Sequence, residues 1–259
     1  MNTYALAGCG VLVTRPRHQA EDLARAIENA GGTAIRFPVI EIIGRDAKVV
    51  STEYSALPEP DVVLYVSKNA AHFGRDIIIG DRSKVGAIGP ATKHQLEDNG
   101  LAVGIFPTGG FDSEHLLTHP ELSNVDGKRV TIVHGERGRA LLGNELKQRG
   151  ATVSYLAAYR RQIRDVPEAE IEALDGIWRT GGVDFVTALS VESFENLMQL
   201  IAPSSIEFLQ NTPLVAPSSR VIQTALERLP NIPVIEATGP GNDDIINALV
   251  AARDSGKHS

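Results

Sequence analysis

Apolar residues along the 259-residue chain fall into short continuous runs separated by amphipathic stretches. Val11, Leu12 and Val13 form the first run and predict a buried strand. From Gln19 to Asn29 the spacing of Leu23, Ala26, Ile27 and Ala30 is helical, and Gly31-Gly32 supplies the stop. Residues 35–43 predict a strand of unusual length. Further strands are expected over 62–66, 85–88, 102–106, 130–133 and 152–160. Between them lie helices from about Asn69, from Gly89-Pro90 to Asn99, after a cap at Asp112 or Ser113, and over 140–149. A polar stretch at 160–168 is followed by a helix to about Trp178. Strands at 185–188, 213–216 and 234–236 then alternate with helices at 191–201, 220–229 and 243–252. Such alternation predicts parallel sheets covered on both faces.

The pattern occurs twice, out of order. VLVTRPRHQAEDLARAIENAGGTAIRFPVI (11–40) is answered by VTIVHGERGRALLGNELKQRGATVSYLAAY (130–159). DVVLYVSKNA (61–70) returns as DFVTALSVES (184–193), and AIGPATKHQLEDNG (87–100) returns more weakly as VAPSSRVIQTALER (215–228). FPTGGFDSEHLL (106–117) is matched by EATGPGNDDIINAL (236–249). Two similar α/β domains follow. The simplest assembly joins residues 1–40 with 163–259 as one discontinuous domain and makes 41–162 the other. Strand-like crossings near 37–43 and 158–163 would connect them. A tandem arrangement divided near Gly127 is the alternative, but no linker-like stretch lies there. A cleft between two such domains is a common ligand site.

Composition narrows the function. An apolar fraction of 42% excludes a disordered chain. The net charge of −7 argues against nucleic-acid binding, and an anionic ligand would need local donors because the long-range field repels it. Cys9 is the single cysteine, so no internal disulfide forms, and it reads as a small apolar residue. No stretch approaches the roughly 20 apolar residues of a membrane span, and MNTYALAGCG has no basic flank. These features predict a cytoplasmic protein without a membrane partner. RDSGKHS at the C-terminus reads as a frayed tail.

Several turns share one design, in which a strand ends and small polar or glycine residues open a helix. They are Thr14-Arg15-Pro16, Ser67-Lys68-Asn69, Gly89-Pro90-Ala91-Thr92, Thr108-Gly109-Gly110, His134-Gly135-Glu136, Ser190, Pro217-Ser218-Ser219 and Thr238-Gly239. In open parallel sheets such turns lie at the carboxyl ends of the strands, where helix N-termini offer N–H groups to anions. Each Ser or Thr taken alone suits a helix cap; the set together suits a ligand. Arg15, Arg17, Lys68, Arg137, Arg139, Arg160 and Arg161 are candidates to pair with carboxylates, Arg15 and Lys68 foremost because they directly follow strands. His115 and His119, four apart, would share a helix face but do not make a metal site. There is no phosphate-binding Gly-x-x-x-x-Gly-Lys loop and no Gly-x-Ser-x-Gly elbow.

VLVTRP with AGGTAIRFPVIEI, then YVSKNAA, AIGPAT, PTGG followed by DSEHLL, VHGERGR and ALSVES, form an ordered set that resembles the uroporphyrinogen-III synthase family over essentially the whole chain. The resemblance implies two flavodoxin-like parallel-sheet α/β domains joined by a two-stranded β linker, with an interdomain cleft. It implies a monomeric, cofactor-free and metal-free lyase that closes hydroxymethylbilane, a linear tetrapyrrole bearing eight carboxylates, with inversion of its last ring. It leaves room for transient contact with hydroxymethylbilane synthase. By the same resemblance Tyr159 matches a cleft tyrosine proposed to donate a proton to the departing hydroxyl; a packing role for it stays open. Thr92 matches the Thr of a Gly-Pro-x-Thr turn, and Ser67 and Ser190 match serines after corresponding strands. Thr14, Arg15, Lys68, Gly89, Gly109, His134, Gly135, Ser218 and Thr238 complete the expected substrate-binding set. The chain departs from the family at Ala216-Pro217-Ser218-Ser219, where a second Gly-Pro-x-Thr is usual. A non-catalytic two-domain binding protein for a small anion is the rival reading, and a sugar-nucleotide transferase a more distant one.

Overall fold

The computed structural model describes residues 4–136 and 141–256. The chain opens with β1 (Gly10–Val13), α1 (Arg17–Asn29), β2 (Thr33–Arg36), β3 (Ile40–Gly44) and α2 (Ala47–Ala56). It continues through β4 (Val62–Tyr65), α3 (Lys68–Phe73), β5 (Lys84–Ala87), α4 (Pro90–Asp98), α5 (Ser113–Leu116) and α6 (Pro120–Ser123). Next come β6 (Arg129–Gly135), α7 (Leu141–Gln148), β7 (Thr152–Ile163) and α8 (Glu168–Arg179). The last elements are β8 (Phe185–Thr187), α9 (Val191–Leu200), α10 (Ser205–Asn211), β9 (Leu214–Ala216), α11 (Ser219–Arg228), β10 (Val234–Glu236) and α12 (Asn242–Gly256).

The chain divides into two compact units. Met1–Glu41 and Gln162–Ser259 form a split unit, and Ile42–Arg161 an inserted one. The sheet of the split unit has the order β10-β9-β8-β1-β2, with parallel pairing throughout. Counted by use within the unit this is 2-1-3-4-5, the flavodoxin-like doubly wound order. The second sheet runs β3-β7-β6-β4-β5, and Ile105 adds a parallel bridge beside Gly86. Taking β6 as its first strand gives the same order again, through β7, β4, β5 and Ile105. The inserted unit is therefore the same sheet threaded from its third strand, which accounts for the scrambled repeat.

Strand chemistry explains the layers. All four residues of β4 are buried. Val63 and Tyr65 pack with Val50 and Tyr54 of α2, Ala70 and Ala71 of α3 and Leu96 of α4. Val62 and Leu64 pack instead with Leu116, Leu122, Leu142 and Leu146. Alternate side chains point to opposite faces, so an unbroken apolar run is what a sheet covered on both sides requires. In the split unit Ala20, Leu23, Ala24 and Ile27 form the buried stripe of α1. Its Ala20, Leu23 and Ile27 meet Ile245, Ile246 and Leu249 of α12 over β1.

One hydrogen-bond device recurs at the centre of each sheet. Asp184 receives the Gly10 N–H on its carboxylate at 2.7 Å and donates its own N–H to the Gly10 carbonyl at 2.8 Å. Asp61 does the same with Arg129, at 2.8 Å in both directions. These are equivalent positions of the repeat. Each aspartate closes the first strand onto the third where their neighbours run out.

Several expectations change. The single strand over 35–43 is two strands separated by Phe37-Pro38-Val39, because Pro38 has no N–H to extend a ladder. Phe37 and Val39 donate instead to the carbonyls of Val13 and Thr14. The strand over 102–106 reduces to the bridge at Ile105. Helix α2, capped by Asp46, was not expected. Of the expected tail, residues 253–256 belong to α12 and 257–259 lie outside the described residues; the Arg253 guanidinium donates to the carbonyls of Tyr4, Ala5 and Ala7. No helix among the described residues is long and apolar enough to cross a membrane.

The backbone N–H of Arg129 holds the Asp61 carboxyl below the usual carboxylate range. Its stabilising effect is therefore complete above the unfolded pKa near 3.8 and vanishes as pH falls through the lower folded value. Asp61→Ala should cost about 1 kcal/mol at neutral pH in urea unfolding. The gap from the unaltered chain should close progressively below about pH 4.

Candidate active site

The inserted unit gathers several of the expected residues at the carboxyl edge of its sheet. Tyr159, near the end of β7, is buried, and its hydroxyl lies 3.1 Å from Ser67 Oγ. Ser67 caps α3, and its oxygen accepts the Ala70 N–H at 3.0 Å. The two hydroxyls share one hydrogen bond, and among the described residues neither has a further acceptor. Whichever donates, one O–H hydrogen is left for a ligand. Gly135 is required beside this pair, because a Cβ there would stand 2.7 Å from Tyr159 Cζ and 3.1 Å from its oxygen. The strand register slips between His134 and Gly135 to bring the ring over the backbone. Phe73 packs on Tyr159 with ring centroids 6.1 Å apart.

Around this pair the other turns take different parts. Gly89 is the extended N-cap of α4 with Pro90 in the first turn. Thr92 is 3% exposed, and among the described residues its hydroxyl makes no hydrogen bond. Gly109 sits at φ +86°, a conformation that favours glycine. Lys68 is exposed at the start of α3. His134 meets Tyr155 edge-on at 5.5 Å, and burial lowers its pKa. Burial thus favours the neutral imidazole. Arg160 lines a recess of about 310 Å³ with Arg45, Asp46 and Glu136. Arg137 and Arg139 lie outside the described residues.

In the split unit the expected side chains are mostly engaged. Thr14 is 1% exposed and donates its hydroxyl to the Thr187 carbonyl at 2.6 Å, while Thr187 donates to Leu12 at 2.9 Å. These bonds tie β1 to β8, so the Thr14 hydroxyl already has a protein acceptor. Arg15 donates to Asn242 Oδ1 at 2.7 Å and to the Pro240 carbonyl at 2.6 Å. Both acceptors are neutral, and burial lowers the pKa of the guanidinium. Ser190 forms a capping box with Ser193. Thr238 donates to Asp244 at 2.6 Å. Ser218 caps α11 by position alone, and among the described residues its hydroxyl makes no hydrogen bond. At Ala216-Pro217-Ser218-Ser219 the helix begins at Ser219, after the proline, whereas α4 begins on Pro90 itself.

His115 and His119 do not share a helix face. Helix α5 stops at Leu116, and His119 caps α6 while the His115 ring bonds Asp112 at 2.6 Å. Among the described residues no group of three or more His, Cys, Asp or Glu could hold a metal. Sequence reasoning overlooked Phe73 and Phe111; the second lies in a glycine-bearing turn, which was the available signal.

Twin doubly wound sheets, one threaded through the other in sequence, define a two-domain α/β protein of the flavodoxin-like class. A family model described as Uroporphyrinogen-III synthase HemD matches residues 21–247. The uroporphyrinogen-III synthase of Escherichia coli K12 is 31% identical over 247 residues, spanning 92% of this chain and 99% of that protein. The Salmonella typhimurium protein of the same name is 33% identical over 201 residues, 73% of this chain and 79% of its own length. Among solved structures, uroporphyrinogen-III synthetase from Helicobacter pylori aligns with a TM-score of 0.61 at 14% identity, covering 94% of this chain and 99% of that one. A mutant uroporphyrinogen III synthase from Thermus thermophilus aligns at 0.57 and 20% identity, covering 95% and 99%. At these identities the structural likeness is one of fold. The chain belongs to the uroporphyrinogen-III synthase family.

The contact between Gly135 and Tyr159 has a measurable signature. Gly135→Ala should destabilise the protein by about 1–3 kcal/mol in denaturant unfolding. The same substitution in a Tyr159→Leu background should cost clearly less, because the ring it collides with is gone. Equal costs in both backgrounds would show that Tyr159 is not the obstacle.

Proposed function

We propose that this chain closes hydroxymethylbilane into uroporphyrinogen III with inversion of the last pyrrole. Family membership supports the reaction, and the Ser67–Tyr159 pair is the observation on which its chemistry rests. Substrate and product differ by one water, so the closure needs no external oxidant or reductant, and we read the enzyme as cofactor-independent. The C–O bond of the terminal hydroxymethyl group breaks, and the hydroxide departs as water on taking a proton. The resulting cation is captured by the substituted carbon of the last ring, giving a spiro intermediate that rearranges. A ring proton is lost as aromaticity returns, balancing the proton taken up.

Electron release from the pyrrole drives departure of the hydroxide, so modest acid assistance is enough. The hydrogen left over in the Ser67–Tyr159 pair is placed to give it, with Tyr159 as donor or with Ser67 relaying. Steering is the harder task, because the unassisted chain closes at the free carbon. Orientation by many contacts serves that purpose better than one strong catalyst. In the inserted unit we assign substrate contacts to Lys68, Gly89, Thr92, Gly109 and the Gly135 backbone. In the split unit we assign them to Arg15, Ser190, Ser218 and Thr238. Arg15 and Thr238 must exchange their present partners to serve, whereas Thr92 and Ser218 offer hydroxyls directly. We read the working form as a cytoplasmic monomer without nucleic-acid or membrane partners that meets hydroxymethylbilane synthase transiently.

Supplied with freshly made hydroxymethylbilane, the chain should yield isomer III by chromatography after oxidation. Isomer I alone, the spontaneous product, would remove the reading in favour of a binding protein. Tyr159→Phe should lower turnover roughly tenfold, short of the ~100-fold that a well-matched general acid supplies, and leave isomer III as the product. Complete loss of activity in a folded Tyr159→Phe protein would contradict the distributed mechanism.

A further inference from the structure

The carboxyl edge of the inserted sheet carries an aromatic pair that the proposed reaction has not used. Phe111 is 59% exposed, although it sits in a short turn between Gly110 and the capping Asp112. Its ring lies 5.7 Å from that of half-buried Phe106, tilted by 40°. Its Cβ and Cγ lie over Gly89, where an added Cβ would come within 3.4 Å and 4.0 Å of them. Lys93 Nζ stands 4.9 Å from the Phe106 ring centroid, and its ion pair with Glu97 is loose at 3.8 Å. The Thr92 hydroxyl, which makes no hydrogen bond among the described residues and is not sealed from water, belongs to the same first turn of α4.

An exposed phenyl face, an ammonium beside it and a water-accessible hydroxyl together match a flat, electron-rich ring that bears carboxylates. An apolar protein surface would leave Lys93 and Thr92 unanswered, and a simple anion would leave Phe111 in water. Resting on the function proposed above, we infer that Phe111 is the seat for one pyrrole face of the substrate, with Lys93 taking a carboxylate of that ring. Strands β7, β6, β4 and β5 and the Ile105 bridge follow one another across this sheet, spaced ~4.8 Å apart. Phe111 lies over Gly89 at the end of β5, and Ser67 follows β4, one strand spacing (~4.8 Å) away, so the seat holds a ring beside the Ser67–Tyr159 pair. A face contact of this kind positions the linear chain before closure and moves no proton itself, so it is read in KM more than in kcat.

Steady-state kinetics of the full chain on hydroxymethylbilane test this. Phe111→Ala should raise KM roughly three- to tenfold, change kcat less than about twofold and keep isomer III. Phe111→Trp should restore KM, and Phe111→Leu should not. Lys93→Gln should raise KM at low ionic strength, with the difference shrinking in salt. An unchanged KM in Phe111→Ala, a fall in kcat at constant KM, or full rescue by leucine would overturn the inference. Phe111 is exposed, so matching thermal unfolding of the variants separates these results from misfolding. If the unaltered chain makes only isomer I, the functional reading fails and the seat with it. If it makes isomer III while Phe111→Ala keeps its KM, the seat alone fails.

Discussion

Each sheet depends on how its first strand is joined to its third. That junction is where a doubly wound sheet reverses direction, and it lies at the centre of the sheet. At its open end the first strand's backbone groups lie partly or fully exposed, and a side chain supplies the partner that the ladder does not. The chain meets the requirement twice with an aspartate at the head of the third strand, Asp61 on Arg129 and Asp184 on Gly10. The split unit adds the crossed Thr14 and Thr187 hydroxyls at the far end of the same junction. With the junction fixed, the helices that follow each strand open in register, and their N-termini come to lie along one edge.

The two edges are not equally furnished. In the inserted unit a shared hydrogen bond leaves a spare O–H at Ser67 and Tyr159, and Thr92 keeps an unanswered hydroxyl. In the split unit Thr14, Ser190 and Thr238 already hold protein partners, and Arg15 is tied to the loop before α12. Sequence similarity within the chain runs the same way, since the later copies of the Gly-Pro and hydroxyl motifs are the weaker ones. The inserted unit thus keeps more polar side chains available at its edge than the split unit does.

Much of the architecture was legible because the repeat pairs residues with the same physical duty. Gly31 and Gly150 both hold positive φ at helix ends, at +84° and +87°. Asp61 and Asp184 make the same reciprocal bonds. The fold class and the family resemblance drawn from these strings agree with the structure and with the relatives. What escaped was set by tertiary contact or weak local signals. Helix α2 buries only Val50 and Tyr54, too few to declare a period. Pro38 ended a strand that hydropathy alone would have continued. The acceptor of the Thr14 hydroxyl was hidden because nothing local reveals the Thr187 carbonyl, 173 residues away. The collision that keeps Gly135 a glycine was hidden in the same manner.

Threading one unit through the other has a consequence for the order of assembly. The bond from Arg129 to Asp61 spans 68 residues, whereas its equivalent from Gly10 to Asp184 spans 174. Chain entropy makes the longer closure only about 0.8 kcal/mol costlier, a minor matter at equilibrium. In time the difference is larger, because strands that meet late in sequence meet late on the ribosome. The first β-α-β segment emerges before any strand that will flank β1 on its β8 side, and it must wait while the entire inserted unit is made. Maturation is therefore nested, with the guest finished before its host.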